Sequence, residues 1–447
     1  MPFLHAQQGN YNFQNFGNKS ILLSGNVTGS VEDLAVSYYN PARLSTLDNN
    51  KFSINAKAYQ LNRLRLNDAI GNGTTFKDSE FKGIPSMIGG TFKLKGQQFA
   101  YALLSKSSHE TNLNYGTKLK VKDILDEFSG EEMYTGGIRL QSKFSEEWLG
   151  LSWAKAVTNK FSYGFSVFVS IFNEEGASEF DYTIQHSLNQ LVATYENSVR
   201  FEQTSYGVFV KAGMHYKLNK ATLGLTVSLP HIGVWNDGDF SYKEVVAGIG
   251  SGSDRFVTAS YGDLKAARHT PFSIAVGSGI AIGNHKLHLN TAFYTGVKKY
   301  SRIEIPPFQQ DNNQVIDFQF DESMRPIINF GFGTELFITK SINGYLSFAT
   351  DYSAYTSNAN LFDLNSLAKK DTNFSQNFYH FGAGFELKLQ SLQLILGATY
   401  TRSSSDFSKP IDIESEIDKD SSYLVYQQWQ FIFGLEIPMF SEKLKLK

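Results

Sequence analysis

The sequence predicts an all-β protein: a transmembrane, up-and-down antiparallel β-barrel of about fourteen strands with an N-terminal helical hatch, or plug. Three observations support this fold class. Segments in which apolar residues alternate with small or polar ones recur throughout residues 51–440. Tight polar turns such as Lys95-Gly96 alternate with long loops, as they do in outer-membrane barrels. No run of about 18 apolar residues is present that could form a membrane-spanning helix.

The first fifty residues precede the strands and carry a different pattern. Ser30 and Asp33 fit a capping box, in which a hydroxyl and a carboxylate three residues on bind free backbone N–H groups at a helix start. An apolar stripe follows at helical spacing: Val31, Leu34, Ala35 and Tyr38. Asn40 precedes Pro41, and proline displaces the preceding residue from helical geometry, so the helix is expected to end there. Residues 1–50 are therefore predicted to form a hatch and residues 51–440 the barrel.

The first seven residues, MPFLHAQ, have two interpretations. Ala6 lies where the cleavage point of a secretory signal would fall, so residues 1–7 fit the remnant of a signal peptide. The basic segment and the long apolar core of a complete signal are missing. An ordinary unstructured terminus is the other interpretation.

The strands alternate with a period of two, which gives each one an apolar face and a small or polar face. One strand illustrates this, with apolar Phe161, Tyr163, Phe165 and Val167 opposite Ser162, Gly164 and Ser166. A closed barrel predicts that Phe272, Leu394 and Phe431 point outward into lipid, where an open sheet edge would find no hydrogen-bond partner. The soluble alternatives are a β-sandwich, whose apolar faces point inward, and a β-propeller, for which no blade repeat is found.

Composition excludes several classes of protein. The 41 Lys+Arg and 43 Asp+Glu residues give a formal net charge of -2, which provides no basis for a nucleic-acid partner. No cysteine is present, which excludes disulfide scaffolds and cysteine-ligated metals. No catalytic, metal or cofactor site is predicted. His285 and His288 flank a tight turn near Asn290, but neither a G-x-S-x-G elbow nor an H-E-x-x-H motif supports an enzyme.

The stretch VEDLAVSYY, followed by Asn40-Pro41-Ala42, resembles the hatch of FadL-type long-chain fatty acid transporters of the outer membrane. In that family a fourteen-stranded barrel is plugged by an N-terminal hatch with an Asn-Pro-Ala motif. The resemblance implies passive uptake of hydrophobic small molecules, gated by the hatch, in the outer membrane of a Gram-negative bacterium. It assigns Asn40, Pro41 and Ala42 to the hatch, although a helix stop followed by a turn explains the same residues.

The third strand departs from the family pattern. In the family this strand is kinked and opens a side gap toward the lipid. Residues 97–115 contain neither glycine nor proline here, which argues against a kink and against lateral release.

Candidate ligand-binding residues come from the strands and the loops. Phe168 and Phe172 interrupt the polar inward face, where they would contact either a ligand or the hatch. Two loop stretches have helical apolar spacing, namely Val121, Ile124, Leu125 and Phe128, and Leu188, Leu191, Val192 and Tyr195. Such helices would either form an apolar vestibule over the barrel mouth or pack on its rim.

The expected partners are a hydrophobic small molecule or lipid as ligand, and outer-membrane lipid around the barrel. An alternative function has a FadL-like barrel acting as a non-transporting subunit of an outer-membrane secretion or assembly complex. That alternative requires a protein partner.

Overall fold

The structure is a computed structural model of the 447-residue chain. It describes residues 9–47, 51–67, 75–122, 131–188, 190–250, 254–310, 313–318, 320–356, 376–390, 392–407 and 422–438. The helical elements are α1 (Lys19–Leu22), α2 (Val36–Tyr39) and a 3-10 helix, Pro41–Thr46. None of the helices in the described part of the chain has both the length and the apolar character needed to cross a membrane.

The strands follow in this order: β1 (Lys51–Asn67), β2 (Phe76–Leu94), β3 (Gln97–Gly116), β4 (Lys120–Lys122), β5 (Glu132–Ala156), β6 (Phe161–His186), β7 (Val192–Lys217), β8 (Ala221–Ser228), β9 (Ile232–Ala247), β10 (Arg255–Leu264), β11 (Ser273–Ile282), β12 (His285–Tyr294), β13 (Val297–Ser301), β14 (Phe308–Gln309), β15 (Val315–Ile316), β16 (Asp321–Met324), β17 (Ile327–Thr339), β18 (Ile342–Asp351), β19 (Phe378–Lys388), β20 (Gln393–Phe407) and β21 (Ser422–Pro438).

Fourteen of these strands form a closed antiparallel barrel, which confirms the predicted all-β class and strand count. Each pairs with its neighbours in the order β1, β2, β3, β5, β6, β7, β8, β11, β12, β17, β18, β19, β20 and β21. The pairing of β21 with β1 closes the ring, so the wall has no terminal edge strand. The closed ring rules out the sandwich and the propeller.

The remaining strands belong to the long loops. β9 and β10 form a hairpin that continues the wall above β8 and β11, and β9 pairs with the upper part of β7. β13 pairs with β16, and β14 pairs with β15, within the connection between β12 and β17. The alternation pattern predicts long loops at residues 231–270 and 299–325, and the strands found within both ranges correct that prediction.

The outward and inward faces of the barrel exchange their chemical character along its height. On β5, Leu149 and Leu151 point outward and are exposed, whereas the outward positions nearer the long loops are Arg139, Gln141 and Lys143. The inward face changes in the opposite sense, because Ile138 and Leu140 are buried there and Ser152 lies lower down. An apolar outer band next to the tight turns is typical of a membrane barrel. Phe431 fits that band, with 50% of its surface exposed rather than buried between sheets.

The N-terminal segment, defined here as residues 9–47, lies against the inward faces of strands on all sides of the barrel. Asn18 bonds Ser53 of β1 (3.0 Å), Leu22 O accepts from Ser347 of β18 (2.7 Å), and Ser37 O accepts from Ser166 of β6 (2.7 Å). Small polar side chains of β1, β6 and β18 therefore hydrogen-bond this segment, two of them at its backbone carbonyl groups. Its apolar residues form one cluster with Trp148, Phe168 and Phe209 of the wall.

The predicted helix over residues 31–39 is shorter than the apolar stripe indicated. Only Val36–Tyr39 is α-helical, and it ends at Asn40 as predicted. The capping box is wrong, because the Asp33 carboxylate instead accepts hydrogen bonds from the N–H and the hydroxyl of Ser20, both at 2.9 Å. The Ser30 hydroxyl bonds His288 Nδ1 of β12 at 2.6 Å. Tertiary contacts thus replace the predicted reciprocal cap, and the Asp33 carboxylate keeps one local hydrogen bond, from Ala35 N at 3.0 Å.

Candidate functional site

Asn40 connects the N-terminal segment to the barrel wall. Its side-chain oxygen accepts a hydrogen bond from Ala42 N (3.1 Å), which caps the 3-10 helix. Its side-chain nitrogen donates to Thr28 O (2.8 Å) and to Met214 O of β7 (3.0 Å). Pro41 occupies the first helical position, where a missing N–H costs nothing. The Asn40-Pro41-Ala42 motif therefore ends one helix, starts the next and binds the wall.

Glycine in the wall permits this close approach. A Cβ added at Gly213 would lie 2.2 Å from Asn40 Oδ1, and one at Gly224 would lie 2.1 Å from Thr28 O. Both distances are far below a van der Waals contact, so a side chain at either position would displace the N-terminal segment. The glycines of the inward face thus make room for backbone and amide groups.

Ion pairs hold the N-terminal segment from the side of the tight turns. Lys19 pairs with the buried Glu386 of β19 (2.9 Å), which would otherwise be a costly unpaired charge. The Glu32 carboxylate binds the ammonium group of Lys286 on β12. Burial alone would raise the pKa of Glu32, but Lys286, Lys19 and Arg43 lower it to about 2. Glu32 is therefore a carboxylate at neutral pH.

A partly open cavity of about 120 Å³ lies between the N-terminal segment and the wall. Tyr11 and Tyr38 line it from the segment, and Lys106, Trp148 and Lys211 line it from strands β3, β5 and β7. A neighbouring cavity of about 60 Å³ shares Tyr11, Tyr38 and Lys211 as lining residues. The two spaces together form an aromatic chamber next to the N-terminal segment.

Two ammonium groups lie against the aromatic rings of this chamber. Lys211 Nζ is 3.8 Å and Lys106 Nζ is 5.2 Å from the centre of the Tyr38 ring, both within cation–π range. Arg268 is paired with Glu146 (2.9 Å), whereas no ion pair within the described part of the chain joins Lys106 or Lys211 to a carboxylate. Burial would raise the pKa of the Tyr38 hydroxyl, but the two ammonium groups lower it below its ordinary value. The chamber therefore combines aromatic rings with polar side chains and two unpaired ammonium groups.

The sequence did not identify this pair of lysines. Lys211 lies in the small polar register of β7 between Phe209 and Gly213, so an inward cation was visible in the pattern. Lys106 lies at a β-bulge, where the pairing of β3 with β5 shifts between Ser105 and Ser107. A bulge reverses the facing of the residues beyond it, so alternation alone could not place Lys106.

Phe168 and Phe172 are fully buried on the inward face of β6 and lie behind the chamber. The Phe168 ring packs on Trp148 with 5.3 Å between centres. The Arg268 guanidinium lies 4.0 Å from the centre of the Phe172 ring. Both residues therefore support groups that line the chamber, and a direct role in ligand binding stays a prediction.

The helix predicted over Leu188–Tyr195 is wrong, because strand β7 begins at Val192 and Gln190 has a positive φ of 60°. Leu188 is 79% exposed, and Leu191 and Val192 are exposed as well. None of the four residues lines the described cavities. A binding role for Leu188, Leu191, Val192 and Tyr195 stays a prediction without geometric support. Of the other predicted helix, Val121 lies in β4, and Ile124, Leu125 and Phe128 fall outside the described residues.

The third strand runs unbroken from Gln97 to Gly116, but its pairing with β2 stops part way along it. The backbone pairing of β3 with β2 ends at Leu104–Met87, and no backbone pair joins residues 105–116 to residues 76–86, all of which the structure describes. The Asp78 carboxylate accepts from Asn112 N across this seam (3.1 Å). On the other edge of β3, its pairing with β5 has a bulge between Ser105 and Ser107, directly beyond this point.

The two histidines considered for catalysis serve different parts of the wall. His288 bonds Ser30, and His285 Nδ1 accepts from Phe337 N (3.2 Å). They do not converge on one site.

The closed ring of strands with an apolar outer band defines the class of membrane β-barrel proteins. Comparison with solved structures then narrows the class. The fold is similar to a Pseudomonas aeruginosa FadL homologue (TM-score 0.54, 11% identity, 95% of this chain and 99% of that chain). It is similar to the Pseudomonas putida toluene transporter TodX (0.57, 11%, 97% and 100%) and the Ralstonia pickettii toluene transporter TbuX (0.52, 11%, 96% and 100%). No protein-family model and no curated protein sequence matches the chain. The chain has the FadL-type fold.

Proposed function

We propose that the protein is an outer-membrane channel of a Gram-negative bacterium for passive uptake of hydrophobic small molecules, long-chain fatty acids among them. Residues 1–50 act as its hatch and residues 51–440 as its barrel, with Asn40, Pro41 and Ala42 fixing the hatch to the wall. The solved channels of this fold named above include toluene transporters, which supports a hydrophobic ligand.

The observation that carries the proposal is the chamber between Tyr38, Trp148, Lys106 and Lys211. A pure hydrocarbon needs only the aromatic walls. The two ammonium groups favour a molecule with an apolar body and an anionic head, because each can form a charge-assisted hydrogen bond with a carboxylate. A fatty acid has both features.

Exchange of both lysines for methionine, K106M/K211M, tests the ligand class. Each lost charge-assisted hydrogen bond is worth about 1.5–3 kcal/mol, so affinity for a C16 carboxylate is expected to fall at least about tenfold. Affinity for its uncharged methyl ester should stay within about twofold, since methionine keeps most of the apolar volume. The two affinities are measured by ligand titration of the detergent-solubilised full chain, with the exposed turn substitution K160M as control. Equal losses for acid and ester would contradict a carboxylate site.

The size of the larger cavity supports hatch gating, since about 120 Å³ is too small for a complete C16 chain unless the N-terminal segment moves. Deletion of residues 1–47 is expected to abolish tight carboxylate binding and to admit small polar solutes into liposomes. A barrel that folds after this deletion and takes up a fluorescent fatty acid at an unchanged rate would exclude gating.

Mass spectrometry of the molecule that co-purifies separates transport from the secretion-subunit alternative, which requires a stoichiometric protein partner instead.

A further inference from the structure

The outward cations near the long loops are matched by carboxylates of the same chain. Four of them, on β5, β7 and β9, form ion pairs of 2.8–3.4 Å with neighbouring side chains: Arg139–Glu179, Lys143–Glu175, Arg200–Glu202 and Lys243–Glu196. The positive charges of this outer surface are therefore neutralised within the protein.

The tight turns at the opposite end of the barrel have a different charge pattern. Neither Asp nor Glu occurs in the connections 95–96, 157–160, 218–220, 283–284, 340–341 and 389–392. Cations are concentrated at two of these turns, 157–160 and 218–220. Four lysines within or beside them are called the basic patch below: Lys155, Lys160, Lys217 and Lys220.

The two turns of the basic patch are neighbours in space. β6 begins after the first turn, β7 ends before the second, and the two strands are paired from Phe161–Tyr216 onward. Lys217 N donates a hydrogen bond to Lys160 O (2.7 Å), which joins the turns directly. All four lysines are exposed, and within the described part of the chain none of them forms an ion pair with a carboxylate. The patch therefore presents four positive charges of one sign on adjacent turns.

Other cations at this end of the barrel do have partners in the chain. Lys286 binds Glu32, and Lys19 binds Glu386, where the wall meets the N-terminal segment. The described chain thus supplies carboxylates to the cations that face the segment and to those of the upper outer surface. It supplies none to the basic patch, which points to an anion from another molecule.

The basic patch lies at the depth of lipid headgroups. Trp153 and Tyr163 pack together on the outer surface with 5.6 Å between ring centres, and both residue types are enriched at membrane–water interfaces. Lys155 follows Trp153 by two residues on the same outward face, about 7 Å further along the strand. A lysine at this depth can lay its stem over apolar surface and place its ammonium group among the headgroups.

The turns of the patch also expose apolar side chains. Val157 is 54% and Leu218 is 44% exposed, one in each turn. Cations beside exposed apolar residues match a surface that is itself amphipathic. This combination favours a lipid over a soluble acidic protein as the source of the anion.

We propose that the basic patch binds the anionic headgroup of a phospholipid, whose acyl chains lie against the outward faces of β6 and β7. Lysines attract anionic lipid only within about a Debye length of the membrane surface, a condition that their depth fulfils. The proposed function enters only through the orientation of the barrel, which makes this the periplasmic leaflet. The patch then selects anionic over neutral lipid at this part of the wall.

Competition between two lipids tests the patch. The full-length chain is reconstituted in phosphatidylcholine vesicles that contain spin-labelled phosphatidylglycerol or spin-labelled phosphatidylcholine. Electron paramagnetic resonance then gives the relative association of each lipid with the protein. One variant, K155Q/K160Q/K217Q/K220Q, removes the patch. The control, R139Q/K143Q/R200Q/K243Q, removes the same number of cations from the paired outer surface.

The unmodified chain is expected to prefer phosphatidylglycerol by at least about threefold at low salt, and to lose most of this preference at about 1 M salt. The patch variant should lose it at low salt, and the control variant should retain it. No preference in the unmodified chain, or equal losses in the two variants, would overturn the proposal. Binding of polyglutamate through the patch without any preference between the lipids would also overturn it, in favour of an acidic protein.

Two half variants, K155Q/K160Q and K217Q/K220Q, cover poor folding of the fourfold variant. Each should lose part of the preference, and an unchanged preference in both would reject the patch. Titration with the C16 carboxylate in detergent separates the two proposals, because the chamber is distant from these turns. A chain that prefers phosphatidylglycerol but does not bind the carboxylate would reject the proposed function alone.

Discussion

At the scale of single residues, the inward face of the barrel is matched to the polar groups of the N-terminal segment. Asn26, Asn40 and Ser20 are buried, and each has hydrogen-bond partners in the wall or in the segment itself. Such partners are required because an unpaired buried donor or acceptor costs about 1–3 kcal/mol. Small wall residues therefore have a structural task that alternation patterns alone do not reveal.

Substitution of Asn40 by alanine tests this task. The change leaves Thr28 O and Met214 O without the amide donor and removes the cap at Ala42 N. Local stability of the N-terminal segment is expected to fall by about 1–3 kcal/mol. Hydrogen exchange of the amides of residues 9–47 in the folded barrel measures the loss.

The turn substitution N159A is the control, because Asn159 is exposed and touches no part of the segment. Protection in N40A equal to that in N159A would show that the motif does not anchor the segment.

At the scale of elements, the sequence was informative wherever one local signal dominated. Asn40-Pro41 ended a helix as proline geometry requires. The capping box failed because Ser30 bonds His288 and Asp33 bonds Ser20, a contact between residues thirteen apart that no local rule contains. The helix predicted at Leu188–Tyr195 failed because the strand begins at Val192, where pairing with β6 overrides apolar spacing.

The backbone pairing of the wall is missing at two places, between β2 and β3 and between residues 229–237 and 265–272. Neither could be predicted from the sequence, for a related reason. One lies beside a bulge at Lys106, and at the other residues 265–267 pair with a distant loop. Either event changes which strand a backbone group pairs with, and periodicity carries no information about that choice. For the same reason, the sequence analysis did not predict the residues of the chamber that lie next to these two places.

The attachment of the N-terminal segment should depend on pH through Glu32. Its pKa is lowered to about 2 in the folded protein, so its contribution to stability is complete above the ordinary value of 4.5. That contribution is lost as the pH falls from 4.5 toward 2, when the carboxylate paired with Lys286 takes up a proton.

Protection of residues 9–47 against hydrogen exchange is expected to decline across that pH interval in the unmodified chain. In E32Q, which has no titrating group at this position, protection should be lower at pH 7 and should vary less with pH. An identical pH profile in E32Q would assign the decline to other groups.

At the scale of the whole molecule, the strand count and the closed ring could be predicted because alternation is repeated on every strand. The change of the outward face from apolar to polar along each strand could not be predicted, because the analysis assigned a single apolar face to the whole strand. On β5, outward Leu151 lies in the lower zone and outward Gln141 in the upper one. The upper interior contains a core of its own, in which Phe201, Phe240 and Phe318 pack together.

This reversal predicts different costs for the same substitution on one face of one strand. L151R places a cation in the apolar band and is expected to destabilise the barrel in lipid by about 2–4 kcal/mol at mid-membrane depth. Q141R places the same cation in the upper zone and should cost less than about 1 kcal/mol. Equilibrium unfolding in liposomes compares the two, and equal costs would show that the band does not face hydrocarbon.

The reversal also fixes how deep the barrel sits. Sinking would carry charges such as Arg139 and Lys143 into hydrocarbon, and rising would lift Leu149 and its neighbours into water, so displacement either way is opposed. A strand paired one residue out of step would be penalised in both zones at once, since its oily and its charged side chains would all change sides. The same residues therefore specify both the depth of the barrel in the membrane and the register of its strands.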